Sequence, residues 1–230
     1  MEYRYKAKSV EGFVQMLASN YLPHGYWFYV TGKLPPEKSA TALDAKILSK
    51  YEVSLSRQQR ARRKLKGMAN LHYLRFENFF VLLATHGTHS FFEAEAKSIR
   101  DIRKTPLKFR GYSLRVRKGG FLKKEQGEEQ ARVDPRFRVR VMIAKPEYAN
   151  LTAYLLDLAA HRSIEALEKV LWNLPFEPYA PIRKQLLRVL RSVNKKRAAM
   201  GYEKLSPECI RYRRAIVKPF EALEEIGEAA

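Results

Sequence analysis

At residue 147 the hydrophobic period of this chain changes, and it does not change back. Upstream, apolar and polar residues alternate in short runs, the two-residue period of a strand whose faces meet different surroundings. In Lys108 to Lys118, Phe109, Tyr112, Leu114 and Val116 stand against Ser113, Arg115 and Arg117. In Phe137 to Ile143, Phe137, Val139, Val141 and Ile143 oppose Arg138, Arg140 and Met142. Gly119 to Pro135, between them, reads as a long mobile loop of a large hairpin. From Glu147 onward leucines recur at spacings of three and four. Leu151, Leu155 and Leu158 mark one helix, Ser163 caps Ile164 to Leu174, and Ile182 to Met200 follows the proline-rich link Pro175 to Pro181. Strands interspersed with helices and then helices alone predict an α+β fold: a central, mainly antiparallel sheet with flanking helices, followed by a helical C-terminal region. Residues 1–145 would form the α+β core, 146–220 a helical region packed on or linked to it, and 221–230 a frayed acidic tail.

The first half predicts more elements. Ser9 caps a helix to residue 22, with Val10, Phe13, Val14, Leu17 and Tyr21 on one face and Pro23 at its end. Tyr26 to Thr31 is a dense run of β-formers bounded by glycines, too apolar on both sides for a sheet edge. A second helix runs from Pro35-Pro36 to about Tyr51, with Ala40, Leu43, Ile47 and Tyr51 inward. Asn70 to Phe76 and Phe79 to Thr85 form a hairpin turned at Glu77-Asn78, its second strand buried on both faces. Phe91 to Lys104 reads as helical through Phe92, Ala96, Ile99 and Arg103.

Charge is the second constraint. Forty-four Lys and Arg against 24 Asp and Glu leave +20, a repulsion that a polyanion would relieve. The excess is concentrated in Val53 to Gly67, which predicts one short basic helix. Ser56 and Gln59 make a capping box, Gly67 is the stop, and Arg57, Arg60, Arg62, Arg63, Lys64 and Lys66 lie between with no carboxylate among them. Ala61 and Leu65 are its apolar anchors. A solvated surface helix is the plain alternative. Two further cationic surfaces are expected: Arg115, Arg117, Arg138 and Arg140 on one sheet face uninterrupted by a carboxylate, and Lys184, Arg188, Arg191 and Lys195 as a stripe on the last long helix. These side chains would contact phosphates, giving affinity without sequence readout. Tyr112 and Tyr212 are candidates to stack on unpaired bases. No apolar run approaches the ~20 residues of a spanning helix, so a membrane is not an expected partner. With the single Cys209, an internal disulfide is excluded and a reducing, cytoplasmic setting is the expectation.

Two groups could carry chemistry. His86-Gly87-Thr88-His89, with Glu93 beyond, places imidazoles and carboxylates near one another, a donor set for a divalent metal. Tyr148 and Tyr154, on the first C-terminal helix, offer hydroxyl nucleophiles. The order of an aromatic strand, a strand ending in histidines and a tyrosine-bearing helix resembles the layout of HUH-type single-strand endonucleases, which include rolling-circle replication initiators, relaxases and related transposases. The resemblance spans about residues 25 to 160. It implies Mg²⁺ or Mn²⁺ on His86, His89 and Glu93, and a tyrosine, Tyr148 or Tyr154, attacking a DNA phosphate. Two residues separate the histidines here, where the family has one. The expected function is therefore nucleic-acid binding, DNA favoured over RNA, with metal-dependent strand nicking and joining in a replication or mobile-element system. The alternative is a non-catalytic DNA- or RNA-binding accessory protein, and self-association or a protein partner through the long C-terminal helix is a third reading.

Overall fold

A computed structural model describes residues 3–35, 37, 39–119, 122, 123, 130 and 132–220. The expected acidic tail, 221–230, and most of the expected loop after Gly119 lie outside the described residues. The chain divides into two compact units. One draws on Met1–Thr105, Val116–Val139 and Val217–Ala230, the other on Pro106–Arg115 and Arg140–Ile216. The fold is α+β, with antiparallel sheets and a helical C-terminal region.

The first unit is built on a four-stranded antiparallel sheet of order β2-β3-β1-β4, from β1 (Phe28–Lys33), β2 (Leu71–Phe76), β3 (Phe79–Ala84) and the two-residue β4 (Arg100–Asp101). The aromatic strand β1 is interior, as its apolarity on both sides implied. The β2–β3 hairpin turns at Glu77, whose φ of 51° is left-handed, and pairs Phe76 with Phe79 through to Leu71 with Ala84. Both faces of this hairpin are covered, which is why β3 lacks a polar side. Tyr73, Leu71, Leu82 and Ala84 pack in one cluster with Tyr51, Val53 and Phe91, while Phe13 of α1 (Val10–Gln15) meets Phe79 edge-on on the other face. The outer edge of β2 is occupied as well: Ala7 N–H donates to Arg75 O at 2.7 Å and Arg75 N–H to Tyr5 O at 2.8 Å. Gly32 admits the Phe80 ring, which would lie 2.5 Å from any Cβ at that position.

The helix α2 (Ala40–Lys50) turns the expected residues inward, yet its one buried residue is Asp44. The carboxylate is 0% exposed and receives both Arg75 Nε, at 2.9–3.0 Å, and the Tyr73 hydroxyl, at 2.6 Å, with Arg75 Nη2 at 2.7 Å. A guanidinium fork and a phenol together satisfy a buried carboxylate, which alone would be too costly to dehydrate.

Four local expectations are corrected. The first helix is capped by Ser9 but widens after Gln15 into a π-helix, Met16–Tyr21, and closes as a 3₁₀ turn, Leu22–His24, before Gly25 at φ 90°. Phe91 to Lys104 is not one helix. The helix α4 (Ser90–Ala94) ends after five residues, and Arg100–Asp101 joins the sheet, where Asp101 accepts from both Arg103 N and Arg103 Nε. Pairing to β1 outweighs a weak helical period. Lys108 to Lys118 is a hairpin, β5 (Leu107–Phe109) and β6 (Tyr112–Lys118), because Arg110 and Gly111 both take positive φ and form a two-residue reversal. In the region expected as a loop, a short ribbon pairs β7 (Leu122–Lys123) with β8 (Arg132–Val133). The strand β9 (Phe137–Ile143) adds to β6.

In the second unit α5 (Lys145–His161), α6 (Ile164–Trp172) and α7 (Ala180–Ala199) enclose Leu155, Leu167, Leu171, Ile182, Leu186, Leu190 and Val193. Gln185 exchanges two hydrogen bonds with the backbone of Ile143, at 2.9 and 3.1 Å, and so ties α7 to β9. Ser163 caps α6 as expected, and Gly201, at φ 76°, follows α7. Among the described residues no helix is long and apolar enough to cross a membrane.

Candidate nucleic-acid interface

The basic segment forms α3 (Arg57–Leu65), with the reciprocal capping box in place: Gln59 N donates to Ser56 Oγ at 3.2 Å and Ser56 N to Gln59 Oε1 at 2.8 Å. Gly67 takes φ 70° and ends it. The anchors are not the expected ones. Leu65 is 88% exposed and Ala61 is exposed too, so the helix buries no apolar residue. Arg60 holds it instead. Its guanidinium donates to Val53 O (2.9 Å), Leu55 O (3.1 Å) and Leu71 O (3.1 Å), while Asn70 Nδ2 donates to Arg60 O (3.0 Å). Arg63 pairs with Glu52. A helix with two small or isolated apolar residues has no stripe to bury, but a five-donor fork matches the several backbone carbonyls that converge on it. Arg60 and Arg63 therefore serve the fold. Arg57, Arg62, Lys64 and Lys66 are exposed.

Behind α3 lies a polyaromatic cluster that sequence reasoning missed. His72, on β2, stacks with Tyr21 at 4.3 Å and lies 4.7 Å from the Tyr26 ring. Arg60 Nη1 donates to His72 Nε2 at 2.8 Å. Nδ1 then carries the ring proton and donates to the Tyr3 hydroxyl at 3.0 Å, which in turn donates to Tyr73 O and accepts from Tyr73 N. Burial first, and the Arg60 charge second, hold the imidazole down to about 3. Burial likewise raises the Tyr3 and Tyr21 hydroxyls above the ordinary phenol value. A groove of about 980 Å³ opens beside this cluster, and Arg4, Arg57 and Arg60 are among its lining residues, with no carboxylate among the described ones. The only sequence signal was a histidine, beside Arg75, in a hairpin of mostly apolar residues.

The other cationic surfaces differ in quality. Lys184, Arg188, Arg191 and Lys195 are all exposed along α7. The arginine strands are not free of acid. Asp134, buried just before β9, accepts from Arg138 Nη2 at 2.6 Å and from Arg136 N at 3.0 Å. Arg117 is exposed, whereas Arg115 and Arg140 are half-buried. Tyr112 is buried and donates to Pro175 O, so base stacking is closed to it, whereas Tyr212 is 75% exposed beneath the Arg183 guanidinium.

His86 and Glu93 are exposed, and His89 is the N-cap of α4, its Nδ1 accepting from Phe91 N at 3.0 Å. The neutral ring thus carries its proton on Nε2, and its one ligating lone pair, on Nδ1, is not available to a metal while the cap stands. Burial and the Arg63 charge lower its pKa, in keeping with a neutral ring. Gly87, at φ 138°, lets the chain leaving α3 cross the turn: a Cβ there would lie 2.5 Å from Ala69 N. Thr88 N donates to Gly67 O and Ala69 N to Thr88 O, so this turn stitches down the end of the basic helix. Among the described residues no three His, Cys, Asp or Glu side chains gather to hold a metal ion. The tyrosines belong to the other unit. Tyr148 is half-buried and donates to Gln185 O at 3.4 Å, and Tyr154 is 52% exposed.

The chain matches no protein-family model, and no curated protein is significantly similar to it.

Proposed function

We propose that this protein binds nucleic acid through phosphate contacts made by the outward cations of α3 and its C-cap, Arg57, Arg62, Lys64 and Lys66, with the α7 stripe as a further cationic surface. The observation that carries the reading is the division of labour within α3. Two arginines are spent on docking the helix, and four cations remain at its surface on a chain already carrying +20. Concentrated like charge opposes helix formation, and counterion release from a polyanion offsets that cost. The reading stops at binding, because His89 is engaged as a helix cap and Tyr148 in a backbone hydrogen bond.

The test is equilibrium binding to duplex DNA, single-stranded DNA and RNA across a salt series. Steep salt dependence is expected. Changing Arg57, Arg62, Lys64 and Lys66 together to Gln is expected to lower the slope of log K against log salt by roughly 3–4, since each phosphate contact contributes about 0.9 on a duplex. A slope unchanged by the fourfold variant would remove α3 from the interface. The same tubes with Mn²⁺ added report nicking directly, and a cleaved product lost in Tyr148→Phe with Tyr154→Phe would extend the reading to catalysis.

A further inference from the structure

The exposed surface of α3 is ordered, and its order points to one kind of polyanion. Successive residues of a helix are turned by about 100°. Arg60 and Arg63 face the protein. Directly opposite them, at i, i+3 and i+7, lie Gln58, Ala61 and Leu65, all exposed, Leu65 at 88%. Arg57 and Lys64 flank this crest on one side, and Arg62 and Lys66 on the other. The outward half of the helix is thus an uncharged crest between two cationic rails. A merely solvated helix has no reason to place its leucine at the apex and its cations at the sides.

We infer that α3 is a reading helix for double-stranded DNA, entering the major groove with its crest against the base edges and its rails against the phosphates of the two strands. This rests on the nucleic-acid reading above and deepens it. A helix is about 10–12 Å across with its side chains, and the major groove of B-form DNA is about 12 Å wide. A nine-residue helix is about 13 Å long, enough to cross the groove. The crest chemistry suits base edges: a glutamine amide pairs with the N6 and N7 atoms of adenine, and the Ala61 and Leu65 side chains suit thymine methyls. Duplex RNA does not fit, because its major groove is deep and too narrow for side-chain readout. Unpaired bases need aromatic platforms, and this crest has none. The helix is also held rigidly enough to read. The capping box fixes its start, Arg60 its middle, and the Gly67–Thr88 hydrogen bond the chain just beyond its end.

The experiment compares the full chain with two variants, Gln58→Ala with Leu65→Ser on the crest and Lys64→Gln with Lys66→Gln on the rails. All four positions are exposed, so both variants are expected to fold, and circular dichroism checks this. Each protein is taken through selection from a random duplex library, and through binding to duplex DNA, single-stranded DNA and duplex RNA of one selected sequence. The expected results are a preference for duplex DNA, a selected motif containing A·T pairs, and displacement by the major-groove ligand methyl green but not by the minor-groove ligand netropsin. The crest variant is expected to lose roughly 5- to 150-fold in discrimination with its salt slope intact. The rail variant is expected to lose affinity for all duplexes about equally. Equal or tighter binding to single strands or duplex RNA overturns the inference, as does a crest variant that selects the same motif. In either case a steep salt slope would leave the phosphate-contact reading standing, and loss of binding to every polymer would remove both.

Discussion

His72 shows how one side chain can be fixed in its neutral form by geometry. Arg60 can only donate, so Nε2 must accept, and a proton there would set two donors against each other. The unfolded ring takes up a proton below its ordinary value of 6.5, and the folded ring only near 3. Between these values acid stabilises the unfolded chain. Stability is therefore expected to be insensitive to this residue above about pH 6.5, to fall by up to about 1.4 kcal/mol for each pH unit below it, and to stop falling near pH 3. Urea unfolding at pH 7, 6, 5 and 4 measures the slope, and His72→Gln, which keeps an acceptor for Arg60, should flatten it. An equally steep slope in the variant would place the acid sensitivity elsewhere, His89 being the other histidine with a lowered value among the described residues. Asp44 carries the same lesson at residue scale. The inward set read from spacing (Ala40, Leu43, Ile47, Tyr51) did not include it, and its partners were not legible, because Tyr73 and Arg75 arrive from a strand some thirty residues on.

At the scale of elements, caps and stops were the most legible features. Ser9, Ser56 with Gln59, Ser163, Gly67 and Gly201 all sit where local chemistry put them, since a cap involves residues three apart and little else. Docking was the least legible. Hydrophobic residues were the natural anchors for α3, and an arginine does the work. Arg60→Ala is accordingly expected to lower the unfolding free energy by roughly 2–3 kcal/mol, through the carbonyls of Leu55 and Leu71 that lose the guanidinium, while Val53 O keeps the Leu55 N–H. Leu65→Ala should stay within about 0.5 kcal/mol of the parent. Chemical denaturation of the two variants side by side decides this, and the reverse ranking would restore the apolar anchor. The short α4 and the β5–β6 hairpin were misread for a related reason. A helical or alternating pattern of ten residues is weak evidence against a two-residue turn such as Arg110-Gly111, or against a sheet edge that recruits Arg100–Asp101.

At the scale of the whole molecule, a charge of +20 sets the terms of stability in solution. From about 0.01 M to about 0.1 M salt the screening length falls from about 30 Å to about 10 Å. Self-repulsion weakens over that range, so the melting temperature is expected to rise with salt when no polyanion is present. A fall, measured by scanning calorimetry, would mean that ion pairs such as Lys50–Glu95 contribute more than the repulsion.

The α+β class, the interior place of β1, the buried β3, the capped basic helix and the exposed α7 stripe all follow from short-range pattern and composition, because period, caps and net charge are local or additive properties. Tertiary structure alone decided which cations are free. Partners that the folded backbone brought within reach, from two residues away for His89 to thirty-one for Arg75, drew Arg60, Arg63, Arg75 and Arg138 into the fold, made His89 a cap, and left Gln58, Ala61 and Leu65 at the crest of α3. A guanidinium reads the same in a sequence whether it will meet a carbonyl or a phosphate, and only the folded chain determines which one lies within reach.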